Sequence, residues 1–244
     1  MNTLVKITVI IATALLLLFS TSSCMLENFN GINGSRNVVS EKRSVANNIK
    51  SIRVQQGIQL HLTQGNKAEL TVEADDNIID LLKTEFSKGE LKLYFEKNIH
   101  KAKARNVYLT TEIIEAIRTS SGASVKSDGT IQANNLTLKS SSGSSIKIEV
   151  IADEINSETS SGAGIDIFGK TNTIMATSSS GSTIDADQLE ANNAVAKVSS
   201  GSNIQLNVKN NLSAKASSGG HINFEGNPKN IDKNTSSGGS VRGS

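Results

Sequence analysis

Aliphatic residues in the second half of the chain recur on two rhythms at once, a short one of two residues and a long one of about nineteen. Ser-Ser-Gly occurs seven times, with its glycine at Gly122, Gly143, Gly162, Gly181, Gly201, Gly219 and Gly238, at spacings of 21, 19, 19, 20, 18 and 19. Three residues after each glycine stands a β-branched aliphatic: Val125, Ile146, Ile165, Ile184, Ile204, Ile222 and Val241. Five residues after it come Ile148, Ile167, Ala186, Leu206 and Phe224, with Ser127 breaking the rule in the first copy. Seven residues before it come Leu136, Ile155, Ile174, Ala194, Leu212 and Ile231. The residues between them are polar, among them Lys147, Asp166, Asp185, Gln205 and Asn223. Alternation at period two with β-branched residues on one face predicts strands that are dry on one side and wet on the other.

A single such unit cannot bury its apolar face, whereas stacked units can. The long period therefore predicts an all-β, single-domain, parallel β-helix (β-solenoid) of about 19 residues per coil. In it, equivalent aliphatics lie above one another at roughly 4.8 Å per coil. No copy carries a 3.6-residue apolar pattern, which sets helical repeats aside. The glycine marks a fixed corner, since it alone enters φ > 0 without steric cost. The residue after it is always small (Ala123, Ser144, Ala163, Ser182, Ser202, Gly220 or Gly239), as an inward position at a tight corner requires. The paired serines are placed to hydrogen-bond along the stack. A second corner is expected nine residues before the glycine, at Asn134, Asp153, Asn172, Asn192 and Asn210, where stacked amides could form a ladder.

Upstream the same alternation persists without the Ser-Ser-Gly mark, in Ile52/Val54, Ile58/Leu60/Leu62, Leu70/Val72, Leu91/Leu93/Phe95 and Val107/Leu109. Terminal repeats of solenoids are atypical. Residues 49–118 are therefore expected to be irregular N-terminal coils of the same solenoid whose regular coils are residues 119–244. Ile78 to Phe86 reads either as a short helix behind Asp76 or Asn77 or as another strand. Residues 24–48 read as a polar tether behind a lipidated cysteine, and residues 1–23 as a signal peptide.

That last expectation rests on Ile7 to Phe19, an almost wholly apolar run of 13 residues with Lys6 as the only charge before Cys24. The run is shorter than the ~20 residues needed to span a bilayer as a helix. Thr21-Ser22-Ser23 then precedes Cys24, the only cysteine. The segment resembles a bacterial lipoprotein signal, although Thr21 stands where such signals usually carry leucine; an ordinary signal peptide with an incidental cysteine is the alternative. The resemblance implies acylation of Cys24, attachment to a membrane without a spanning helix, and a place in the cell envelope at the outer membrane. A single cysteine also leaves no disulfide to stabilise the fold.

Without residues 1–23 the chain has 24 Lys+Arg against 23 Asp+Glu. Aromatics are 3% and tryptophan is absent. A balanced charge and few stacking platforms exclude nucleic acid as a partner.

Chemistry is sparse. The best catalytic candidates are Asp166 and Asp185, both four residues past their glycines, with Asp187 two further on. Carboxylates this close could act as an acid–base pair or hold Ca²⁺. The same column, however, contains Lys126, Lys147, Gln205 and Asn223, the mixture expected of a solvated face. His61, His100 and His221 are dispersed, and none has metal-ligand spacing. No cofactor or metal is expected. Lys97, Lys101, Lys103 and Arg105 form a basic stretch that either is a solvated loop or touches anionic lipid or polysaccharide.

Several segments resemble a bacterial family, "putative auto-transporter adhesin, head GIN domain". They are Gly31-Ile32-Asn33-Gly34, Val38-Val39, Glu41-Lys42-Arg43, Ile52-Arg53-Val54 and Glu73-Ala74-Asp75-Asp76-Asn77, together with the Ser-Gly-Ala and Ser-Gly-Ser turns. The resemblance covers about residues 30–240. It implies a right-handed β-helix and a lipoprotein signal, and brings no functional residues with it. Nothing in the chain has the pattern of a translocator barrel.

The resulting expectation is a non-enzymatic cell-envelope lipoprotein, an adhesin-like scaffold for a surface polymer or protein. The alternatives are a polysaccharide-active lyase or hydrolase built on the three aspartates, and a structural role in which end coils pair between molecules. The sequence does not fix the oligomeric state.

Overall fold

Stacked strands of the expected kind dominate the computed structural model, which describes residues 31–244. The N-terminal strands are β1 (Ile32–Asn33), β2 (Val38–Arg43), β3 (Ser51–Val54), β4 (Gln59–Gln64) and β5 (Glu69–Asp75). After them come β6 (Leu82–Ser87), β7 (Glu90–Phe95), β8 (Ile99–Lys101), β9 (Arg105–Thr111) and β10 (Ala116–Thr119). The regular coils are carried by β11 (Ser124–Ser140), β12 (Ser145–Thr159), β13 (Gly164–Ser178), β14 (Thr183–Val198) and β15 (Asn203–Ala216). The last are β16 (His221–Glu225), β17 (Asn230–Thr235) and β18 (Ser240–Gly243).

From β10 to β18 every pairing is parallel and joins each winding to the next. Val125, Ile146, Ile165, Ile184, Ile204, Ile222 and Val241 are successive register partners. The first six are at most 1% exposed; Val241, in the last winding, is half-buried. A second column of Leu136, Ile155, Ile174, Ala194 and Leu212 is equally dry and ends at Ile231, 45% exposed. Each fully buried isoleucine contributes roughly 1.5–3 kcal/mol of transfer free energy, so these columns hold the windings together.

Strict parallel stacking gives way upstream. β4 pairs in parallel with both β9 and β11, and β3 with both β7 and β10. β5, however, is antiparallel to β9 and β2, and β6 to β7. Short antiparallel returns thus close the first windings where a long strand would otherwise leave a ladder of unpaired amides. Ile78 to Phe86 is neither wholly helix nor strand: one 3₁₀ turn, Ile79–Leu81, leads into β6.

The second corner is a bend inside an unbroken strand. β11 to β14 run through it, and only Asn134, Asp153, Asn172 and Asn192 drop out of the register. The amide ladder is shorter than expected and shifts by one residue. Asn192 Nδ2 donates to Asn172 Oδ1 (3.2 Å), Asn211 Nδ2 to Asn193 Oδ1 (2.6 Å), and Asn230 Nδ2 to Asn211 Oδ1 (2.8 Å). Asn210 takes no part, because the 18-residue coil displaces the register there. Much of the variation in coil length is absorbed at a third corner, where the pairing skips between Lys126 and Thr130 and between Ala186 and Glu190.

Candidate functional site

The serine corner is built from two residues, not one. In every copy the second serine is left-handed (φ 49–56°) and the glycine after it is too (φ 67–77°). In six of the seven copies the residue after the glycine donates its amide back to the first serine, as Ala123 N does to Ser120 O (3.2 Å). Two consecutive residues at φ > 0 closed by such a bond make a type I′ turn. The turns also bond to each other, Gly122 N donating to Ser142 O and Gly143 N to Ser161 O, both at 3.1 Å. Gln56-Gly57 forms the same turn one winding earlier, without the serines. The buried hydroxyls lie elsewhere than at the paired serines. Thr119, Ser140 and Ser144 form one closed cluster, and Thr159, Ser178 and Ser182 another, with O···O distances of 2.8–3.0 Å. The second serine of each pair faces solvent; the first is half-buried in six copies and exposed at Ser236 in the last.

Beside this corner runs a groove of about 360 Å³ that crosses successive windings. Arg53, Arg118, Lys139, Glu158 and Thr177 each contribute one side chain, next to Ser120, Ser141, Ser160 and Ser179. Arg53 Nε lies 3.0 Å from Glu90 and Arg118 Nη1 3.4 Å, while Lys139 pairs with Glu158 at 2.7 Å. The Arg53 hydrogen bond holds the Glu90 carboxyl below its ordinary range against the opposing effect of burial. A wider cleft, about 1010 Å³, lies near the second corner, where Ile113 and Ile151 are half exposed among polar side chains.

The three aspartates are only partly brought together. Asp166 and Asp185 are register partners on β13 and β14, with Lys147 before them and Gln205 after. Asp187 lies beyond the paired stretch, at the third corner, and donates its amide to Asp185 Oδ1 at 3.3 Å. Partial burial pushes the Asp185 carboxyl up, helped by the charges of Asp187 and Asp166 and opposed by the Asp187 amide. None of the clefts described above is lined by any of the three. Among the described residues no group of three or more His, Asp or Glu side chains is placed to hold a metal.

A raised folded-state pKa means that ionised Asp185 weakens the fold, a penalty present at neutral pH and relieved as pH falls through the carboxyl's own titration. Asp185→Asn is therefore expected to be neutral or slightly stabilising at pH 7, by under about 1 kcal/mol. Its advantage over the parent should disappear near pH 3, as thermal melts across pH would show.

A denser cluster forms at the N-terminal end, where two segments far apart in sequence meet. Asp75 is wholly buried and accepts the amides of Arg36 (2.8 Å), Lys103 (3.0 Å) and Ala104 (2.9 Å). Burial alone would raise its carboxyl, but these donors outweigh it and hold the group below the ordinary carboxylate range. Asp76 accepts from the Ser35 hydroxyl and from Asn37 Nδ2 (2.8 Å). Asn77 accepts the Ser35 amide (2.8 Å) and donates to the Asn33 carbonyl (2.9 Å). Gly34 is needed for the approach, because a Cβ there would stand 2.1 Å from Asp75 Oδ2. Sequence reasoning missed this junction. Gly31-Ile32-Asn33-Gly34 and Glu73-Ala74-Asp75-Asp76-Asn77 are both segments that carry the family resemblance, but alternation with Leu70, Val72 and Ala74 places Asp75 on the outer face and gives no sign of its burial.

The histidines remain separate. His61 stacks on Tyr108 (4.9 Å) with Nδ1 3.6 Å from Asp128; His221 Nδ1 is 2.7 Å from the Ser240 hydroxyl. His100 lines a cleft at the N-terminal end together with Lys101, Lys103 and Arg105. Cys24 and the expected signal lie outside the described residues. Among the described residues no helix is long and apolar enough to cross a membrane.

The model of the family "Putative auto-transporter adhesin, head GIN domain" matches residues 48–228. No curated protein matches. Among solved structures, a putative adhesin from Bacteroides fragilis superposes with a TM-score of 0.81 at 18% identity, covering 88% of this chain and all of that one. A putative lipid binding protein from Parabacteroides distasonis gives 0.73 at 17%, covering 88% and 100%. A putative adhesin from Parabacteroides merdae gives 0.72 at 12%, covering 88% and 99%. At these identities the likeness is one of fold. The chain belongs to the head GIN domain family.

Proposed function

We propose that this head GIN protein is a non-enzymatic scaffold of the bacterial cell envelope, exported and held at the outer membrane by a lipid on Cys24, which binds a surface polymer or protein along its coils. The observation that carries the binding role is the groove beside the serine corner. It repeats a serine on each of four consecutive windings (Ser120, Ser141, Ser160 and Ser179) beside the charged column of Arg118, Lys139 and Glu158, so it presents a hydroxyl at intervals of roughly 4.8 Å. A surface that repeats along one axis suits an extended ligand that also repeats. Family membership and fold neighbours named as adhesins support a binding role over a catalytic one. The lipoprotein-like segment around Cys24 supports the address.

A panel of envelope polysaccharides and envelope proteins tests the reading. Arg118→Ala with Lys139→Ala should weaken capture of the bound partner at least tenfold while leaving the melt nearly unchanged. Mass spectrometry of the exported protein should find acyl chains on Cys24. A panel without any binder, alongside turnover of a polysaccharide that Asp166→Asn, Asp185→Asn and Asp187→Asn together abolish, would reject the scaffold in favour of an enzyme.

A further inference from the structure

The polypeptide that leaves residues 1–30 enters the body at one particular place. β1 pairs in parallel with β8, Ile32 N donating to Asn98 O (2.8 Å) and Gly34 N to Lys101 O (2.6 Å). The incoming segment thus lies against the strand that carries His100 and Lys101. Beside it opens a cleft of about 770 Å³ lined by Asn33, Arg36, His100, Lys101, Lys103 and Arg105, with no acidic side chain in its wall.

This concentration of charge is local, since the whole chain carries a formal charge of only +2. Among the described residues no surface carboxylate pairs with it. None of Arg36, Lys101, Lys103 and Arg105 forms an ion pair with a described carboxylate, whereas Arg53, Arg118 and Lys139 all do. The nearby carboxylate, Asp75, is buried and occupied by three backbone amides. Those amides belong to Arg36, Lys103 and Ala104, so the buried carboxylate fixes the two segments that bear the cations. Arg105 is half-buried, and its guanidinium makes a single hydrogen bond, Nη2 to the Ile99 carbonyl at 3.3 Å. Cations with vacant donors, countered among the described residues only by the buried Asp75 whose charge acts on Arg105, are a site for an anion, and guanidinium groups suit phosphate oxygens in particular.

The length of the preceding chain indicates the source of the phosphate. Seven residue steps separate Cys24 from Gly31, and seven residues span at most about 25 Å when fully extended. A chain attached at Cys24 therefore holds the cleft within reach of the headgroup layer, where each cation near an anionic surface strengthens attachment about fivefold. We propose that this cleft seats the phosphate of anionic membrane lipid, laying the N-terminal coils against the bilayer with the C-terminal coils outermost. The proposal rests on the anchoring role assigned to Cys24.

Lysine acylation of the full chain in lipid nanodiscs tests it, with Lys215 and Lys229 on the distal coils as internal references. In discs containing phosphatidylglycerol, Lys101 and Lys103 should react at least fivefold more slowly than the references; in phosphatidylcholine discs they should react alike. Arg36→Gln should remove most of the protection at Lys101. Equal labelling in both lipids, with the protein retained on the disc, overturns the cleft and leaves the anchor intact. If Cys24→Ala does not change retention, the anchor reading fails, and the cleft is then judged by added phosphatidylglycerol vesicles, where protection supports it and its absence overturns it. Equal protection by inorganic phosphate alone overturns the membrane as the source and makes the site one for a soluble anion.

Discussion

Ile184→Asp is expected to cost at least about 4 kcal/mol, enough to unfold a domain of ordinary stability, while Asp166→Ser on the neighbouring winding costs under about 0.5 kcal/mol. Ile184 is completely buried and stands in register between Ile165 and Ile204. A carboxylate there would have aliphatic side chains above and below, no donor in reach and no route to water. Protonation would spare the charge but not the unpaired hydroxyl, so lowering the pH should recover only part of the loss. Asp166 lies half-exposed on the opposite face, and its charge helps raise the Asp185 carboxyl; removing it takes away a mild repulsion. Denaturant unfolding of the two variants beside the parent is the check. Similar midpoints for both would mean that the inner and outer faces have been exchanged.

Asp75→Ala should be the second most damaging change, at about 3 kcal/mol, because it strips several amides of their acceptor at once. The Ala104 amide has no other partner in the described structure and is buried; those of Arg36 and Lys103 are part-buried. Gly34→Ala should approach the same effect from the other side, since its Cβ cannot coexist with Asp75 Oδ2. The pH dependence follows from a folded-state pKa that is depressed. Such a carboxylate contributes stability that is complete above its unfolded value, near pH 4, and is lost as pH falls through the folded one. Parent and Asp75→Ala should therefore differ most in melting temperature at neutral pH and converge in strong acid. A constant difference down to pH 2 would show that the carboxylate's charge is not what holds the junction.

The antiparallel returns at one end and the exposed strand at the other give the solenoid unlike ends. β17 has no buried residue, and Ile231 is the one member of its column that solvent reaches. The first windings are closed by β2 and β6, and they carry the one cleft described here whose charged lining side chains are all basic. Partner surfaces along the flank and a basic surface at the N-terminal end are therefore separable, and variants in one should leave the other intact.

By itself, the sequence determined the period, the face of each regular strand that turns inward, and the glycine corner. Each of these is set by residues within one winding, repeated until no other register buries the aliphatics. The tertiary structure alone decided features that join windings or distant segments. One is that the serine before each glycine shares the left-handed turn, because turn-to-turn bonds such as Gly122 N to Ser142 O fix the pair. Another is that buried hydroxyls cluster around Ser144 and Ser182 instead of at the paired serines. Asp187 likewise lies at a corner, outside the register that pairs Asp166 with Asp185, and reaches Asp185 through its amide. The largest is the junction of Gly34, Arg36 and Asp75 with Lys103, whose members stand 28 to 39 residues from Asp75 along the chain wherever a hydrogen bond joins them. No periodicity relates such residues. They meet because a buried carboxylate must find donors, and only the folded chain supplies them.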